Sequence, residues 1–129
     1  MKKFTRSTLS LLLAAVLTAA LLPAQAAEVS PRYIGISNIN ASLEITNSFA
    51  TCIGTVNVKP DYTADLVLEL KRDGTVIKTW TDSGTGKIEI NKTYYVTSGH
   101  KYELTSKATV YNSSDKVVET PSYSTSKSY

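Results

Sequence analysis

The sequence predicts an all-β, antiparallel sandwich of seven strands carried behind a short leader. Three observations predict it. Beyond residue 26, valine and isoleucine number seventeen against five leucines, and serine and threonine fill about a quarter of the positions. That composition suits half-buried strands and polar turns. Apolar and polar residues alternate at period two, and no 11-residue window carries apolar residues at helical spacing. Turn-forming residues recur at short, regular intervals, the spacing of a two-sheet sandwich.

The chain has 129 residues, and the first 26 differ in kind from the rest. Lys2, Lys3 and Arg6 form a positive head, the run from Leu9 to Leu22 is apolar over 14 residues, and Pro23 precedes Ala24-Gln25-Ala26. This is the pattern of a secretory signal peptide with cleavage after Ala26. A membrane-spanning helix needs about 20 apolar residues, so an uncleaved anchor is not expected. The sequence ends Ser128-Tyr129 without an apolar tail, so no C-terminal sorting or lipid-anchor signal is expected. Residues 27–129 are then the mature domain, released outside the cell.

Three of the fourteen basic residues lie in the leader, leaving eleven basic against eleven acidic in 27–129. The basicity of the whole chain belongs to the leader and gives no ground for nucleic-acid or polyanion binding.

The strands follow in order. Residues 32–39 and 42–46 give a broken first strand, and 50–59 the second. Residues 65–72 give the third, with Leu66, Leu68 and Leu70 on one face and Asp65, Glu69 and Lys71 on the other. Residues 75–81 give the fourth. Residues 87–95 give the fifth, and 101–111 the sixth, with Tyr102, Leu104, Ala108 and Val110 alternating against Lys101, Glu103, Lys107 and Thr109. Residues 116–124 give the seventh, and the polar tail beyond Pro121 is expected to fray. Asp73-Gly74 is the strongest hairpin signal, because a type I′ turn needs positive φ at both central residues. Lys59-Pro60-Asp61, Ser83-Gly84-Thr85-Gly86, Ser98-Gly99 and Asn112-Ser113-Ser114-Asp115 mark the other breaks.

The run Val96-Thr97-Ser98-Gly99-His100-Lys101-Tyr102-Glu103-Leu104 resembles the approach to the sixth strand of fibronectin type III and immunoglobulin-like domains. There a Gly-x-x-Tyr step forms a tyrosine corner, whose hydroxyl bonds to upstream backbone. Tyr102 and Gly99 match that step, so the resemblance implies structural roles for both. The second immunoglobulin cysteine would fall where this chain has Leu104, so no antibody-type disulfide is implied. More broadly, Arg32-Tyr33, Cys52-x-Gly54, the Leu66/Leu68/Leu70 strand, Trp80 and Tyr94-Tyr95-Val96 make the chain similar to a family of small secreted proteins of Gram-positive bacteria. That resemblance implies a fold and a location and brings no mechanism.

Catalysis finds little to build on. His100 is the sole histidine and Cys52 the sole cysteine. Cys52 lies in an uncharged, strand-like run and is expected to be a buried structural residue. A Cys52–His100 nucleophile pair has no flanking signature. Asp61 and Asp65 flank a turn, where solvated charges and caps are the ordinary use of aspartate. One histidine and one cysteine provide no metal spacing, and no glycine-rich phosphate loop occurs. Neither catalysis, metal nor cofactor is expected. Asn40-Ala41-Ser42, Asn91-Lys92-Thr93 and Asn112-Ser113-Ser114 match the glycosylation pattern, and the bacterial resemblance makes them chance matches.

Aromatic residues remain. All eight tyrosines lie after the leader, together with Trp80. Tyrosine and tryptophan join large apolar area to a polar handle, which suits binding surfaces, although strands also use them structurally. A two-residue loop at Asp73-Gly74 pairs Leu70 with Ile77, Glu69 with Lys78 and Val67 with Trp80. Trp80 then faces outward beside Val67, away from the leucines. A three-residue loop would turn Trp80 inward and bring Lys78 with it. Trp80, Val67 and Tyr111 are the candidate binding residues.

Two functions fit these residues. One is a secreted, monomeric, non-enzymatic module that binds a protein or a glycan. The other is a structural subunit of a surface or extracellular assembly, using a sheet edge or the tail after Pro121.

Overall fold

A computed structural model describes residues 32–129 of the chain; the leader expected over 1–26 lies outside the described residues. The fold is all-β, two antiparallel sheets packed face to face. Eight strands form it: β1 (Ile36–Thr46), β2 (Phe49–Val58), β3 (Thr63–Arg72), β4 (Thr75–Gly84), β5 (Lys87–Tyr95), β6 (Lys101–Tyr111), β7 (Val117–Glu119) and β8 (Ser122–Ser128). One sheet has the order β1-β2-β5; the other has the order β4-β3-β6, with β7 and β8 both paired to β6.

The count of eight corrects the expected seven, and the cause is local. Val110 pairs with Glu119 and Lys107 pairs with Ser122, so β7 and β8 lie along one line beside β6. Pro121 interrupts that line, because it has no N–H to give the ladder. Its carbonyl still accepts from the Ala108 amide at 2.9 Å. The tail expected to fray is a paired strand, matched to β6 from Lys101–Ser128 to Lys107–Ser122. β1 is also continuous where a break was expected, with one irregularity between Ile36 and Asn38.

Alternation puts one face of each strand into the core. Leu66, Leu68 and Leu70 of β3 are fully buried, and Tyr102, Leu104, Ala108 and Val110 of β6 lie beside them. Ala50, Cys52 and Val56 of β2, Leu43 of β1, and Ile88 and Ile90 of β5 supply the facing layer. The sheets approach each other closely at Gly54. A Cβ there would stand 2.6 Å from Ser106 Oγ and 2.7 Å from Leu68 Cδ1, so only glycine fits between them. Ser106 Oγ donates across the sandwich to the Asn40 carbonyl at 2.8 Å, which satisfies a fully buried hydroxyl.

The hairpin turns use positive φ. Asn47 and Ser48 (φ 50° and 70°) turn β1 into β2, and Asp73 and Gly74 (φ 50° and 89°) turn β3 into β4. Both are two-residue loops, closed by the pairs Thr46–Phe49 and Arg72–Thr75.

Candidate binding face

Trp80 does not occupy the outer face. The Asp73-Gly74 loop has the expected length, and Lys71 pairs with Val76 as that loop requires. A β-bulge then intervenes: Leu70 pairs with Lys78, so Ile77 is an extra residue and the register slips by one. Beyond it Trp80 lies opposite Leu68, on the core side, and Val67 lies opposite Thr81. Trp80 is half-buried against the core and meets Tyr94 of β5 edge to face, ring centroids 6.2 Å apart. It closes the gap between the two sheets where β4 runs beside β5.

Val67 and Tyr111 are half-buried on the outer face of the larger sheet, so the structure separates them from Trp80. The Tyr111 hydroxyl donates to Asp65 at 3.0 Å, and that bond to a carboxylate raises its pKa. Charges dominate this face. Lys107 pairs with Glu69 at 3.2 Å, and Lys71 lies 3.9 Å from Glu103.

Cys52 and His100, the pair weighed for catalysis, have structural surroundings instead. Cys52 is fully buried, and burial pushes its thiol up to about 11, so it stays protonated and inert. His100 Nδ1 lies 2.6 Å from Asp73 Oδ2, while Asp73 Oδ1 accepts from the Lys101 amide at 2.9 Å. The Lys101 amide and then His100 hold the Asp73 carboxyl below its ordinary value. This pair joins the β3–β4 turn to the start of β6. Next to it, Tyr102 is fully buried, and its hydroxyl donates to the Thr97 carbonyl at 2.9 Å and accepts from the Thr97 amide at 3.0 Å. Gly99 turns the chain at φ 90°, and its amide donates to the main-chain oxygen of Tyr129 at 2.7 Å. Among the described residues no three His, Cys, Asp or Glu side chains group to hold a metal ion. Among them, too, no helix is long and apolar enough to cross a membrane.

The aromatic pair most open to solvent lies on the other sheet. Phe49 and Tyr95 are cross-strand partners on β2 and β5, 51% and 62% exposed, with ring centroids 6.0 Å apart in edge-to-face contact. The same row carries Thr46 of β1. The rows behind it are Glu44–Thr51–Thr93, Ser42–Ile53–Asn91, Asn40–Thr55–Glu89 and Asn38–Asn57–Lys87. Tyr129 approaches the near end, its hydroxyl 3.3 Å from Ser48 Oγ in the hairpin turn. Phe49 has no place among the candidates drawn from the sequence, where the second strand starts at residue 50. The signal was available: an inward Cys52 fixes Ala50 as inward and Phe49 as outward.

No protein-family model matches the chain, and no curated protein matches it in sequence.

Proposed function

We propose that the protein is a secreted, non-enzymatic binding module and that the outer face of the β1-β2-β5 sheet is its contact surface. The observation that carries this reading is the Phe49–Tyr95 pair. Two neighbouring aromatic rings are left largely in water on a regular sheet, although the core has inward positions for apolar side chains. A lone exposed apolar residue is ordinary, but adjoining exposed rings on a rigid scaffold form an anchor of the kind that dominates binding energy. Secretion rests on the leader pattern of 1–26 and on the resemblance to secreted bacterial proteins. Val67 and Tyr111 lie among paired charges and hydrogen bonds, and their sheet face carries no comparable open aromatic pair.

An array of glycans and extracellular proteins, probed with the purified chain, tests the reading. Phe49→Ala/Tyr95→Ala is expected to abolish the signal, and Val67→Ala/Tyr111→Phe to leave it. The reverse pattern would move the binding site to the other sheet and defeat the proposal.

A further inference from the structure

We infer that the β1-β2-β5 face takes an uncharged polysaccharide, a conclusion that rests on the binding-module reading and narrows its ligand. The inference stands on how differently the two outer faces are furnished. Of the fifteen side chains in the five rows of the β1-β2-β5 face, nine are asparagine, serine or threonine and three are Phe49, Tyr95 and Ile53. Three are charged, and two of those neutralise each other, with Lys87 Nζ 3.3 Å from Glu89 Oε1. Glu44 is left as the uncompensated charge of the face. The opposite face carries Asp65, Glu69, Lys71, Glu103 and Lys107 within its β3 and β6 strands.

Charge decides among ligand classes. A polyanion needs lysine or arginine on the surface it meets, and here it would meet Glu44 and no free cation of the face. A protein contact ordinarily gathers its aromatic and arginine side chains at the centre, whereas here both rings stand in the end row, the central row is Ser42–Ile53–Asn91, and no row holds arginine. A neutral sugar chain presents apolar ring faces flanked by hydroxyls that both donate and accept. The aromatic rings offer the first a stacking surface, and amide and hydroxyl side chains offer the second partners of both kinds. On the ligand side no charge has to be stripped of water.

The geometry also fits a chain rather than a single sugar. From Phe49 to Asn57 the face runs roughly 27 Å along the strand, at about 3.4 Å per residue. It is about 10 Å wide between β1 and β5, from strand spacing of nearly 5 Å. The exposed rings sit at one end, and the hydroxyl and amide rows extend from them. Asn57 Nδ2 already donates to Asn38 Oδ1 at 2.8 Å, so the far end is pre-ordered.

Affinity electrophoresis of the purified chain tests this. The gels contain neutral β-glucan, mannan, galactan or arabinoxylan, with polygalacturonate as the polyanion. Retardation by at least one neutral polymer is expected, persisting in 0.5 M NaCl and falling at least tenfold in apparent affinity for Phe49→Ala/Tyr95→Ala. Unchanged fluorescence of Trp80 and an unchanged melting temperature show that the variant is folded. Retardation by polygalacturonate alone, lost in salt, would overturn the ligand class. So would no retardation by any polymer. If a photo-crosslinker at position 95 then joins a purified extracellular protein, the binding face stands and only the glycan inference falls. If the chain instead dimerises and Phe49→Ala dissociates it, the face is a self-contact and the glycan inference falls with it.

Discussion

Trp80 lies opposite Leu68, one residue out of the register that the Asp73-Gly74 turn alone would set. That slip, caused by the bulge at Ile77, converts a tryptophan that would have stood on an outer face into the lateral seal of the sandwich. Its edge contact with Tyr94 joins strands of different sheets.

Trp80→Ala is therefore expected to act on stability. A fully buried Trp→Ala change costs about 3–5 kcal/mol, and this half-buried residue should cost about 2 kcal/mol. Chemical denaturation measures it, and emission of the single tryptophan should be blue-shifted from that of the unfolded chain. A variant as stable as the parent would show that Trp80 seals nothing.

Tyr102→Phe removes a hydroxyl that both donates to and accepts from the Thr97 backbone. The expected loss is about 1–2 kcal/mol, since the part-buried Thr97 amide and carbonyl both lose their partner. Tyr129→Phe, at an exposed hydroxyl, should stay within about 0.5 kcal/mol. Equal effects in denaturation curves would remove the tyrosine corner from the stability of the fold.

Gly54→Ala places a methyl group against Ser106 Oγ and Leu68 Cδ1. Overpacking of this kind should cost about 1–3 kcal/mol. Adding Ser106→Ala should return part of the loss by removing one of the two colliding atoms, so the double variant is more stable than additivity predicts. Strict additivity would mean that the sheets part elsewhere to admit the methyl group.

Asp73 gives a pH dependence whose sign follows from its lowered pKa, caused first by the Lys101 amide and then by His100. The carboxylate form is favoured in the folded state. Its contribution is complete above the unfolded aspartate value, about 3.9, and is lost as pH falls through the lower folded value. Asp73→Asn should flatten the fall in melting temperature on acidification below about pH 4. Parallel profiles for the two proteins would show that the Asp73–Lys101–His100 contact has no linkage to folding.

Much of the fold is legible in the sequence because its signals are local. Alternation at Leu66, Leu68 and Leu70 names a buried face by period alone, and the bounds expected for β5 and β6 coincide with those observed. Asp73-Gly74 and the Gly99–Tyr102 step announce their own geometry through positive φ and a fixed offset. The bulge at Ile77 has no such signal. It brings Trp80 against Tyr94 across the sandwich, and one unread residue reverses every side chain beyond it. The strand expected over 116–124 runs through Pro121, whose missing N–H breaks the ladder, and the pairing resumed beyond it uses the edge that β6 offers. The candidate face was the least legible, because it is assembled from three strands. Phe49 and Tyr95 are 46 positions apart and become neighbours only through the β2–β5 ladder.

Amide chemical shifts of the isotopically labelled chain, followed during titration with mixed neutral oligosaccharides, locate the contact surface residue by residue. Shifts concentrated at Phe49, Thr51, Thr93 and Tyr95, with Val67, Lys107 and Tyr111 unmoved, are the predicted result. Shifts centred on the Val67 and Tyr111 face, or none at saturating oligosaccharide, would contradict the assignment of the β1-β2-β5 sheet as a glycan-binding surface.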